Sequence, residues 1–184
     1  MSFKRPTVED VRQAQGKKIG DIIAPDLRVL FCGINPGLYS GAVGFHFARP
    51  GNRFWRALRD AGFTDRILDP SEQASLPEYG CGLTNLVARS TAVAAEISAD
   101  ELRRGRGNLK RKVGKYKPAF VAILGIGAYR TAFEAPKAEL GRQEGMLRQA
   151  GIWVLPNPSG LNARYQPPLL AELFGELHAE AYRK

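Results

Sequence analysis

Four short stretches of this chain are hydrophobic almost without interruption: 27–33 (LRVLFCG), 81–87 (CGLTNLV), 119–125 (AFVAILG) and 152–156 (IWVLP). Continuous rather than alternating apolar runs are the pattern of parallel strands covered on both faces of a sheet. Between them the period changes. Over 52–61, Phe54, Trp55, Leu58 and Ala61 fall on one face at helical spacing. Ser98, followed three residues later by Glu101, reads as a capping box that opens a further helix. Helical patterns also cover 128–133 and 168–183, whereas 135–149 is polar with two glycines and reads as an excursion before the last strand. Strands alternating with helices predict an α/β layered fold with right-handed crossovers. No repeat, low-complexity tract or linker interrupts the pattern, so 1–184 reads as a single domain.

Composition narrows the class. With 44% hydrophobic and 24% charged residues among 184, the chain has the balance of a folded globular protein. No apolar run approaches the ~18 residues of a membrane span. The opening MSFKRPTVED lacks the apolar core of a signal peptide, which points to a cytoplasmic protein. Twenty-seven basic against eighteen acidic residues leave a formal charge of +9. Such a field attracts polyanions, nucleic acid first and an anionic membrane surface second. Cys32 and Cys81 form no Cys-x-x-Cys motif and read as buried free thiols. With His46 and His178 the only histidines, a histidine–cysteine metal site has too few ligands.

In open α/β sheets, ligands gather beyond the carboxyl ends of the strands. Two loops there carry unusual residues. The first is Gly33-Ile34-Asn35-Pro36-Gly37, continued by Gly44-Phe45-His46-Phe47-Ala48-Arg49-Pro50. Asn35 offers one acceptor and two donors, and the aromatics could form a stacking surface for a flat base. An ordinary Asn-Pro-Gly turn, with both phenylalanines filling core, explains the same stretch. The second loop, Pro156-Asn157-Pro158-Ser159-Gly160-Leu161-Asn162-Ala163, is stiffened by two prolines and carries an apolar tip. It suits either a wedge pushed between base pairs or a rigid surface turn.

The loops GINPG and NPSGLNA, with GFHFARPGNRFW and CGLTNLV between them in that order, closely resemble the mismatch-specific uracil-DNA glycosylases, relatives of the thymine-DNA glycosylases. The resemblance runs from about Val29 to Glu172. It implies a three-layer α/β/α sandwich around a mainly parallel sheet. It also implies a monomeric DNA-repair enzyme without cofactor or metal, acting on double-stranded DNA that contains uracil mismatches. Such an enzyme flips the base out of the stack and cuts its N-glycosidic bond.

The resemblance carries over to particular residues. Asn35 matches the asparagine that positions the attacking water, and Asn157 the residue beside the uracil O2 where charge builds. Phe47 matches the ring on which the flipped base stacks, while backbone amides near Ile34 and Phe47 meet its carbonyls. Asn85 stands where several relatives read the polar edge of uracil; other relatives carry lysine there. Ser40 and His46 complete the base-binding set, His46 resembling a histidine of the thymine-DNA glycosylases where other relatives have proline. Leu161 matches the wedge, Gly160 and Asn162 lie near the opposite base, and Ser159 meets a phosphate. No lysine occupies a nucleophile's position, so no lyase step is expected.

Other readings remain open. Glu96 or Asp100, which follow the Asn85 loop, could share the water with Asn35. The run Arg103, Arg104, Arg106, Lys110, Arg111, Lys112, Lys115 and Lys117 could track a DNA backbone or form a solvated helix face. A non-catalytic basic nucleic-acid module would share the charge, the aromatics and the wedge. Gly125-Ile126-Gly127 could serve a nucleotide-binding enzyme, but Arg130 replaces the third glycine of the dinucleotide fingerprint.

Overall fold

The computed structural model describes residues 3–183. Its five strands are β1 (Val29–Gly33), β2 (Cys81–Asn85), β3 (Phe120–Leu124), β4 (Gly141–Leu147) and β5 (Ala150–Leu155). They form one sheet in the order β2-β1-β3-β5-β4, parallel except for β4. The helices are α1 (Val8–Arg12), α2 (Leu38–Val43), α3 (Phe54–Asp60), α4 (Ala99–Tyr116), α5 (Ile126–Phe133) and α6 (Pro167–Ala181), with 3₁₀ turns over Pro70–Tyr79 and Ala94–Glu96.

Each parallel strand is buried on both faces, which explains its unbroken apolar sequence. In β1, Val29 and Phe31 enter one core with α3 and α6, while Leu30 and Cys32 enter the other with α4 and α5. This is a three-layer α/β/α sandwich. The first core is aromatic at its centre: the Phe31 ring lies 5.5 Å from that of Phe54 and 5.9 Å from that of Phe174. Both cysteines are free and buried, and burial pushes the Cys81 thiol up to about 12.

The excursion expected over 135–149 instead contains β4, an antiparallel edge strand paired with β5 and interrupted by a bulge between Arg142 and Met146. An edge strand needs no apolar sequence on both faces, and β4 is mostly exposed, so its polar sequence concealed it. Helix α3 begins at Phe54 rather than at residue 52, because Asn52 Oδ1 accepts from the Phe54 N–H at 2.9 Å. The capping box at Ser98 is present, with its side chain accepting from the Glu101 N–H and Glu101 reaching back.

The chain reverses its winding at β1. The connection through β2 goes to one side of β1 and the connection to β3 goes to the other. A crevice therefore opens beyond the carboxyl ends of β1 and β3, where neighbouring loops diverge.

Candidate functional site

A cavity of about 270 Å³ occupies that crevice, lined by Ile34 and Asn35 after β1, by His46 and Phe47, by Asn85 at the end of β2, and by Asn157 after β5. Ser40, Ser159 and Leu161 also line it. Gly160 and Asn162 do not; Gly160 borders an adjoining cleft with Arg53 and Gly51. Among the described residues no carboxylate and no lysine lines the cavity, and its only titratable side chains are His46 and Arg49.

On the β1 side, Asn35 Nδ2 shares its two hydrogens among three acceptors, the Pro36 carbonyl at 3.0 Å, the Arg89 carbonyl at 3.2 Å and Thr91 Oγ1 at 2.7 Å. These acceptors fix which end of the amide is nitrogen and, among the described residues, leave Oδ1 as an unspent acceptor. Thr91 is buried and passes its own proton to the Val93 carbonyl at 2.8 Å. Its backbone N–H meets the Pro36 carbonyl at 3.1 Å, so the 35–37 and 89–93 loops are fastened together.

On the β5 side the commitment is reversed. Asn157 Oδ1 accepts from the Ser159 N–H at 3.0 Å, which leaves its two amide hydrogens free to donate. Asn162 Nδ2 donates to the Asn157 carbonyl at 3.2 Å and closes the turn. Arg53, at the start of α3, holds the loop from outside by donating to the carbonyls of Asn162 at 2.9 Å and Tyr165 at 2.8 Å. A Cβ on Gly160 would lie 2.4 Å from the Gly51 carbonyl oxygen, so only glycine lets the two loops approach this closely. At the loop's tip Leu161 is 74% exposed.

Phe47 has φ +52°, a left-handed conformation that bulky residues rarely adopt. One face of its ring is stacked on Phe54 at 4.2 Å. Its backbone N–H makes no hydrogen bond among the described residues. Ser40 Oγ accepts from the Ala48 N–H at 3.1 Å and Gln73 Oε1 from the His46 N–H at 2.9 Å, so both pin this loop. His46 is itself buried, and desolvation lowers its pKa below the ordinary histidine value.

Asn85 pairs with Gly33 across β1 and β2. A side chain at Gly33 would come within 2.5 Å of Asn85 Oδ1 and 3.4 Å of the Phe47 ring, so the missing Cβ provides room for the amide.

The two carboxylates suspected of assisting Asn35 are engaged elsewhere. Glu96 accepts from the Val93 N–H at 3.0 Å and from Gln15 at 3.0 Å, while Asp100 pairs with Arg103 at 2.8 Å. No member of the basic run lines the cavity. Lys112 pairs with Asp21 at 2.6 Å and donates to Thr84 at 2.8 Å, and Arg106 lies 3.7 Å from Glu134. Arg53, Gln73 and Thr91 carry the site's geometry yet gave no local signal, because their partners are distant in sequence.

A model of the uracil DNA glycosylase superfamily matches residues 21–178 of the chain. Among solved structures, the chain is similar to the solution NMR structure of a candidate uracil DNA glycosylase from Methanosarcina acetivorans. The identity is 20%, the TM-score 0.60, and the match covers 89% of this chain and 98% of that one. At this identity the likeness concerns the fold.

Proposed function

The chain belongs to the uracil DNA glycosylase superfamily, and from that premise we propose that it is a monofunctional, mismatch-directed DNA N-glycosylase. It extrudes uracil opposite guanine from the duplex and hydrolyses its N-glycosidic bond, leaving an abasic site. The observation that carries this reading is the opposite commitment of two amides in one cavity: Asn35 keeps an acceptor, Asn157 keeps donors.

Hydrolysis uses both. A water donating to Asn35 Oδ1 is aimed at C1′ of the sugar. As the C1′–N1 bond breaks, its electron pair passes to the base and spreads onto O2, where the Asn157 amide donates. The water oxygen bonds to C1′ and its proton leaves to solvent. An amide is too weak a base to remove that proton early, so catalysis rests on positioning and on stabilising the departing anion. Phe47 supplies the stacking face, and its free N–H, with the amide near Ile34, meets the base carbonyls. Ser40 holds that loop in place. Asn85 accepts from N3–H and donates to O4.

Leu161 fills the vacated stack, flanked by Gly160 and Asn162 toward the opposite base, while Ser159 contacts a neighbouring phosphate. A cavity near 270 Å³ lies just below the ligand-pocket range of roughly 300–1,000 Å³ and suits one base rather than a nucleotide. The enzyme works as a monomer on double-stranded DNA and needs no cofactor.

The test is a labelled duplex with one U·G pair. Free uracil should be released in the presence of EDTA, and the strand should break only after alkali. A strand that survives alkali makes the protein a non-catalytic DNA-binding module. A borohydride-trapped adduct overturns the monofunctional assignment.

A further inference from the structure

Asn85 has a polar partner that its expected role does not require. The His46 ring is buried behind it, with Nε2 2.9 Å from the Gly20 carbonyl oxygen and Nδ1 3.4 Å from Asn85 Nδ2. A carbonyl only accepts, so Nε2 must carry a proton. In a neutral ring Nδ1 then bears a lone pair and only accepts. Asn85 is therefore required to turn its NH₂ end toward His46, which aims Oδ1 the other way.

Resting on the reading of Asn85 as the group that meets the pyrimidine's polar edge, we propose that His46 is a positioning residue whose fixed tautomer locks the Asn85 amide in the uracil-reading orientation. The logic is a donor–acceptor exchange. Uracil presents a donor at N3 and an acceptor at O4; cytosine presents an acceptor at N3 and a donor at N4. Reading cytosine needs the amide rotated by half a turn. That rotation sets Asn85 Oδ1 against the Nδ1 lone pair and leaves two buried acceptors facing each other, the kind of unpaired polar contact that gives strong discrimination.

The surroundings hold the ring in this state. Desolvation is the largest influence and favours the neutral form. The charged groups that face the ring are Asp21, beside Gly20 on the segment before β1, and Lys112, on α4. They pair with each other at 2.6 Å and act on the ring in opposite senses. Thr84, next to Asn85, donates to Asp21 at 2.7 Å and accepts from Lys112 at 2.8 Å, so the pair is fastened to the strand that carries the amide.

The experiment compares single-turnover excision of 5-fluorouracil and 5-fluorocytosine from mismatched duplexes at neutral pH; fluorine makes both bases better leaving groups, so both rates are measurable. His46→Leu removes the acceptor and should lower the fluorouracil-to-fluorocytosine rate ratio about tenfold or more. His46→Gln can still donate to Gly20 and accept from Asn85, and should keep the ratio within about threefold of wild type. An unchanged ratio in His46→Leu, or equal loss of both rates, makes His46 a packing residue and overturns the proposal. If His46→Leu fails to fold, long-range ¹H–¹⁵N correlations of wild-type protein decide: protonated Nε2 with bare Nδ1 at pH 7 is expected. The other tautomer, or an imidazolium, overturns it. Asn85→Ala separates the underlying reading. If it discriminates as well as wild type, Asn85 does not read the base, and both ideas fall.

Discussion

On the β1 side of the cavity, Asn35 is held by three acceptors drawn from two loops, and the Thr91 hydroxyl that receives it is itself buried and bonded onward. On the β5 side, the 157–165 loop is held from outside by Arg53, through its guanidinium and through its backbone N–H to the Pro158 carbonyl at 2.9 Å, while Leu161 at its tip stands 74% exposed. Both sides end in an asparagine amide, but the first is over-determined and the second hangs on a few contacts. The difference matches what the proposed roles ask of each side. A water aimed at a sugar carbon needs an acceptor fixed to within a few tenths of an ångström. A wedge entering a base stack needs a stiff tip on a loop that can adapt to the duplex. The Asn157 amide sits at the root of that loop, where its Asx turn and the Asn162 contact give local rigidity.

Several measurements can break or sharpen this contrast. The largest effect is expected for Asn157→Ala, which removes the donor proposed to face the developing charge. Single-turnover cleavage of U·G duplex should fall by about 10²–10³, the range for a lost oxyanion donor. A loss below about tenfold would move leaving-group stabilisation elsewhere.

Leu161→Ala should slow cleavage of duplex uracil by about tenfold and single-stranded uracil by less than about threefold, because only the duplex has a vacancy to fill. Equal losses on both would make Leu161 a packing residue. Arg53→Lys should reproduce the same duplex-selective defect at about half the logarithmic size. Arg53 Nη1 donates to the carbonyls of both Asn162 and Tyr165 while Nη2 lies 3.4 Å from that of Gly160, and the single nitrogen of a lysine cannot reproduce that two-nitrogen spread. A defect equal on both substrates would mean that Arg53 supports the fold rather than the wedge.

The smallest effect separates the cavity rim from α4. Arg49→Ala, at the rim, should reduce the slope of log affinity against log salt by about 0.9, the loss of one phosphate contact. Replacing the exposed Arg104, Lys110 and Lys115 on α4 together should leave the slope unchanged. A larger change from the α4 variant would assign that face to DNA.

The parallel strands were legible because burial on both faces leaves an unbroken apolar signature. β4 was not, because an exposed edge strand can be built from Arg142, Gln143 and Glu144 without cost to the core. The grouping of the candidate residues was legible in the same way. GINPG and NPSGLNA lie after strands, where a sheet's topology concentrates ligands, and the cavity gathers Asn35, Phe47, Asn85 and Asn157. What could not be read is what holds them. Thr91 lies 56 positions from Asn35, and Arg53 lies 109 from Asn162. His46 reads locally as one polar residue between two aromatics. Its relation to Gly20 and Asn85 exists only after β1 and β2 are paired.

The central claim, that an amide rather than a carboxylate positions the water, is tested most directly by single-turnover cleavage of U·G duplex by Asn35→Ala beside Glu96→Gln and Asp100→Asn. Binding to the same duplex is measured in parallel. Asn35→Ala should cleave at least about 10²-fold more slowly than wild type, with its duplex affinity nearly intact. Both carboxylate variants should cleave at the wild-type rate, since Glu96 caps the Val93 turn and Asp100 pairs with Arg103. Near-wild-type cleavage by Asn35→Ala, with failure of either carboxylate variant, would contradict the claim.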